Sequence, residues 1–120
     1  MDLEVSVDQL DDTSAAGDAP GIPVVKVVGE VDVASVPLLD QELGALAKAG
    51  KNKIIVDFSG VSFIDSTGLG VVVKALKNAR EAQGWVRVVA QEDRVTKVFA
   101  ITGLDAEFAL SETIEEAAAR

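Results

Sequence analysis

The chain has 120 residues, 48% of them hydrophobic, with 20 acidic against 11 basic side chains and a formal net charge of -9. This is the size of one domain with a single core, and too apolar a composition for a disordered polyanion. The sequence contains no Cys and no His, which excludes disulfides, thiol nucleophiles and thiolate metal sites and removes the commonest general base.

The negative balance repels phosphate backbones and anionic membranes, so neither nucleic acid nor a lipid surface is an expected partner; steering toward a basic protein surface is open to it. No apolar run approaches the roughly 18 residues of a spanning helix, and "GVVVKAL" is interrupted by Lys74. The amino terminus, "MDLEVSVDQLDD", lacks the basic-then-apolar layout of a signal peptide. The expectation is a soluble, cytoplasmic protein.

Leu3, Val5 and Val7 alternate with polar residues, the period of a half-exposed strand. The stretch from Asp11 to Pro23 reads as a flexible loop, long for a hairpin. Val24 to Val28 is β-branched and strand-like. "GEVDVA" (Gly29 to Ala34) connects it to Ser35, a good N-cap, with Pro37 in the first turn and Leu38, Leu39, Leu43 and Leu46 as the helical stripe up to Gly50. Lys53 to Phe58, with Ile54, Ile55 and Val56 consecutive, reads as a strand covered on both faces, and Ser62 as a turn residue after it.

A helix then opens at Ser66 or Thr67, with Leu69, Val72, Val73 and Leu76 inward, and runs to Gly84. Trp85 to Ala90 is a fourth strand. Asp93 opens a helix with Val95, Val98 and Phe99 inward and Gly103 as its stop. "AEFAL" (Ala106 to Leu110) reads as a short last strand, and "TIEEAAAR" as a carboxy-terminal helix. The alternation predicts a single α/β domain over residues 1–120, with a mixed or largely parallel sheet of four to five strands and about four helices.

The octet "FIDSTGLG" (Phe63 to Gly70) carries the chemistry. Ser66, Gly70, Lys74, Lys77 and Glu81 share the outer ridge of the helix, and the glycines Gly68 and Gly70 leave Ser66 standing over bare backbone that another surface can approach. Four readings compete. Asp65 or Ser66 caps the helix, stabilising it by about 1 kcal/mol, which leaves the glycines unexplained. A nucleotide-binding turn would need glycine at Val73, or a P-loop lysine at a spacing that Lys74 does not have. A catalytic serine lacks the G-x-S-x-G elbow and any His, and Lys74 lies two turns away. In the fourth reading Ser66 accepts a phosphoryl group, gaining about -1.5 to -2 charges on a contact surface. The free N–H groups and dipole of the helix N-terminus are then expected to receive that group with the fold intact. The residue pattern calls for no cofactor, no metal and no catalytic residue.

The octet and its setting resemble the STAS-domain anti-sigma factor antagonists of bacteria. "VDFSGVSFIDSTGLGVVV" is similar to the family's Asp-Ser-small-Gly-Leu-Gly signature, "VVGEVDVASVPLL" to its second strand and Gly-Glu-hydrophobic-Asp loop, and "VTKVFAITGLDAEFAL" to its third helix and following turn. The resemblance implies a non-enzymatic partner switch. The unphosphorylated antagonist binds an anti-sigma factor with serine-kinase activity and frees a sigma factor; phosphorylation breaks the complex, and a PPM-type phosphatase resets it. It also implies Ser66 as phosphoacceptor, favoured over Thr67, and Glu30, Asp32, Asp65, Thr67, Gly68, Leu69 and Gly70 as partner-binding residues. The alternative is a STAS scaffold or regulatory subunit of another assembly, a stressosome or a lipid-transport complex.

Overall fold

The computed structural model describes residues 3–10 and 21–120. Four strands lie side by side in chain order: β1 (Leu3–Leu10), β2 (Ile22–Val31), β3 (Lys53–Ile64) and β4 (Trp85–Val89). β1 and β2 are antiparallel, whereas β2–β3 and β3–β4 are parallel, so the sheet is mixed. Each parallel step crosses over through a helix, α1 (Val36–Lys48) and then α2 (Ser66–Glu81), as parallel pairing requires. Three further helices follow among the described residues: α3 (Asp93–Ile101), the single turn α4 (Leu104–Glu107) and α5 (Ile114–Ala119). Residues 11–20 of the expected loop lie outside the described residues; Ile22 and Pro23, expected in that loop, already belong to β2.

The consecutive apolar residues of β3 are buried on both sides, as their run predicts. Ile54, Val56 and Phe58 face the main core with Val25, Val27, Leu39, Leu43, Val72, Leu76 and Phe99. Ile55 faces the opposite side with Val24, Val89 and Ala117 of α5. Fully burying one such aliphatic or aromatic side chain contributes roughly 1.5–3 kcal/mol, so β3 holds both layers together. Arg87 ties α5 down: its guanidinium donates to the Ala117 carbonyl at 2.8 Å and stacks 3.7 Å from the Trp85 ring centroid.

Several expectations need correction. β3 runs to Ile64, because two bulges opposite β2, between Lys26 and Val28 and between Gly29 and Glu30, each add a residue and let the strand continue. Ser62 is therefore an exposed strand residue rather than a turn residue. Glu30 pairs with Phe63 inside β2 and is not in the loop. Residues 106–110 form no strand: α4 leads into Phe108, which packs edge-on against Phe99 at 5.5 Å, and only Ser111 bridges to Val89. Val73 is half-exposed on α2, and Gly68 and Ala79 take the inward positions beside Val72 and Leu76.

Candidate functional site

Two connections meet at the carboxyl ends of the parallel strands β2 and β3. Val31 and Ile64 are register partners, and the Asp65 N–H donates to the Val31 carbonyl at 3.1 Å. The acidic connection after β2 and the start of α2 are thereby fixed side by side. Open parallel sheets commonly place their binding crevices at this end.

Asp65 is the N-cap of α2. Its Oδ1 accepts from the Thr67 N–H at 3.0 Å, the Gly68 N–H at 3.1 Å and the Thr67 hydroxyl. The Thr67 hydroxyl foremost holds the carboxyl below the usual aspartate range; burial opposes it, and the Gly68, Thr67 and Val33 N–H groups add to the lowering. Ser66 follows as the first helical residue, exposed, and its hydroxyl makes no hydrogen bond among the described residues. The cap is thus Asp65, and the serine is free of that task.

The two glycines differ. A Cβ on Gly70 would meet nothing within 4 Å, so the bare ridge beside Ser66 is real there. Gly68 instead faces the core, where a Cβ would stand 2.5 Å from Val31 Cγ1 and 2.9 Å from Ile64 Cγ1. The reading of Gly68 as exposed backbone is corrected: it is glycine because α2 sits directly on the ends of β2 and β3. Leu69 is half-buried and packs against the core, and Thr67 is exposed.

Asp32 shapes the neighbouring turn. Its Oδ1 accepts from the Ala34 and Ser35 N–H groups at 3.1 and 3.0 Å, while Ser35 Oγ accepts from the Asp32 N–H and donates to the Glu30 carbonyl at 2.8 Å. Ser35 occupies the N-cap position of α1, but its side chain turns back to bind this loop and caps nothing. Lys74 Nζ is 2.7 Å from Asp40, an ion pair that directs it to α1 and away from Ser66. Two side chains escaped the sequence reading: Val33, 70% exposed, and Phe63, 41% exposed, both apolar and close in chain to the acids of the junction. The signal was an isolated apolar residue inside "EVDVA" and an aromatic opening the octet.

This arrangement can bind and can carry a group. Among the described residues no cluster of acidic side chains could hold a metal ion, and no helix is long and apolar enough to cross a membrane.

The sequence pattern of the STAS domain matches residues 15–117. The chain belongs to the STAS domain family. An anti-sigma-B factor antagonist of Staphylococcus aureus is 40% identical over 80 residues, which are 67% of this chain and 74% of that protein. A solved anti-sigma factor antagonist from Mycobacterium paratuberculosis superposes with a TM-score of 0.83 at 27% identity, covering 98% of this STAS domain and 92% of that chain. The phosphorylated form of the Bacillus cell fate determinant SpoIIAA shares the fold, with a TM-score of 0.71 at 23% identity over 98% of each chain.

Proposed function

We propose that this STAS domain is an anti-sigma factor antagonist, a regulatory binding protein whose contact surface is centred on Ser66 and switched by phosphorylation there. The supporting observation is the division of labour at the start of α2: Asp65 supplies the cap, Ser66 is left exposed, and Gly70 leaves the ridge beside it bare. Glu30, Asp32, Asp65, Thr67, Leu69 and Gly70 surround that point in the proposal, with Gly68 setting how closely the helix sits on the sheet.

The partner is an anti-sigma factor with serine-kinase activity, acting in the cytoplasm. That partner holds the ATP. Transfer forms a bond from Ser66 Oγ to the γ-phosphorus as the β,γ-bridging bond breaks, releasing ADP, and the hydroxyl proton passes to a base of the kinase. A PPM-type phosphatase returns the serine by hydrolysis. A dianion facing the partner without a counter-charge is costly to desolvate; losing 3–4 kcal/mol of affinity weakens binding by roughly two to three orders of magnitude.

Titration of an anti-sigma factor with the Ser66→Ala and Ser66→Asp chains tests this. Ser66→Ala should bind as the unmodified chain does, and Ser66→Asp should bind at least tenfold more weakly. Equal affinities would sink the switch.

A further inference from the structure

A helix N-terminus ordinarily draws an anion in, because its first N–H groups lack partners and the dipole favours negative charge. A phosphoryl group on the first residue of such a helix would fold back onto those donors, be partly neutralised, and signal weakly to anything outside. In this chain three of the first four donors are already taken, and only the Ser66 N–H has no partner among the described residues. Of the four N–H groups from Ser66 to Leu69, those of Thr67 and Gly68 bond to Asp65 Oδ1 and that of Leu69 bonds to the Asp65 carbonyl at 3.0 Å. The Thr67 hydroxyl is also turned to the same carboxylate. Asp65 is itself anchored from behind through its N–H to Val31.

We infer that Asp65 is a positioning residue for the switch: by occupying the Thr67 and Gly68 N–H groups with a negative charge, it keeps a phosphoryl group on Ser66 from folding back onto them and turned toward the docking side, over Gly70. The inference rests on Ser66 being the phosphoacceptor. It replaces the expectation that the helix N-terminus receives the group. The carboxylate does two things, filling the Thr67 and Gly68 donors and repelling the dianion, and Lys74 on the same ridge is held by Asp40 at 2.7 Å. The modification then acts by charge at the surface, with the local backbone unchanged.

The test is NMR on the full chain carrying phosphoserine at position 66, introduced site-specifically, titrated from pH 4.5 to 8. With Asp65 present, the phosphorus signal should titrate while the Thr67 and Gly68 amide protons stay in place; Asp65 itself titrates below this window. In Asp65→Ala the donors are released, so both amide protons should move downfield in step with the phosphorus signal. The phosphate pKa should fall by up to about one unit as the dianion gains hydrogen bonds. Amides that already follow the phosphate in the Asp65 chain would overturn the proposal, as would an Asp65→Ala chain whose amides do not. The Asp65 arm needs no substitution, so it decides the matter even if the variant folds poorly. Binding of the anti-sigma factor is measured separately: if phosphorylation leaves it unchanged while the amides behave as expected, the proposed switch fails and the placement of the phosphate stands.

Discussion

Replacing Gly68 and Gly70 one at a time by alanine should move stability in opposite directions. At Gly68 the added methyl meets Val31 Cγ1 at 2.5 Å and Ile64 Cγ1 at 2.9 Å. Neither atom is the free end of a flexible chain: Val31 is fully buried and stiff at χ1, and Ile64 is almost fully buried. Overpacking of this kind costs about 1–3 kcal/mol. Exchanging glycine for alanine in a helix returns at most about 1 kcal/mol, so a net loss of about 1–2 kcal/mol is expected. At Gly70 the methyl meets nothing and only the helical gain remains, up to about 1 kcal/mol. The two variants should therefore differ by about 2 kcal/mol, near 8 °C in Tm at roughly 4 °C per kcal/mol for a domain of this size. Urea unfolding at fixed pH gives the same difference as a shift in midpoint with constant slope. Gly70→Ala should also weaken anti-sigma binding while raising stability, because its methyl would stand on the ridge proposed for the partner's approach. A Gly68→Ala chain as stable as the parent would refute the packing account of that glycine, and a destabilised Gly70→Ala chain would refute the open ridge.

Asp65→Ala should lose about 1 kcal/mol of stability at neutral pH through the missing cap. The folded pKa of Asp65 lies below its unfolded value, so its contribution is complete above the ordinary aspartate range, near 3.9, and fades as pH falls through the folded value. The parent and variant curves of unfolding free energy against pH should therefore converge at the acid end; a constant gap down to pH 2 would contradict the capping role. Arg87→Ala removes both the bond to the Ala117 carbonyl and the stacking on Trp85, and should cost about 1–3 kcal/mol. Amide exchange in 114–119 should rise well before that of β3, and uniform exchange in both would show that Arg87 does not hold α5. Val33→Ser should change stability by no more than about 0.5 kcal/mol, given its exposure. Its affinity for an anti-sigma factor should fall measurably, and unchanged affinity would remove Val33 from the contact surface.

Order and type of most elements were legible in the sequence because their signals are local. Period-2 alternation in β1, an unbroken β-branched run in β3, and spaced apolar residues ended by Gly50 and Gly103 each depend on a few neighbouring residues. The octet was legible in part for the same reason: residue types at fixed offsets place a cap at Asp65 or Ser66 and a helix start at Ser66 or Thr67, and the structure selects Asp65 and Ser66. The opposite roles of Gly68 and Gly70 were not. Both lie in the first turns of one helix, and only the seating of α2 on Val31 and Ile64 decides which has room for a side chain. The continuation of β3 through Ser62 depends on bulges set by its pairing with β2. Phe108 left the strand pattern because a buried place against Phe99 outweighs the β preference of five residues. The sequence by itself determined the order of elements and the chemical character of the octet. Only the tertiary structure decided which faces are covered, and with them that Gly68 is packed while Gly70 stays bare, since burial belongs to pairs of segments distant in the chain.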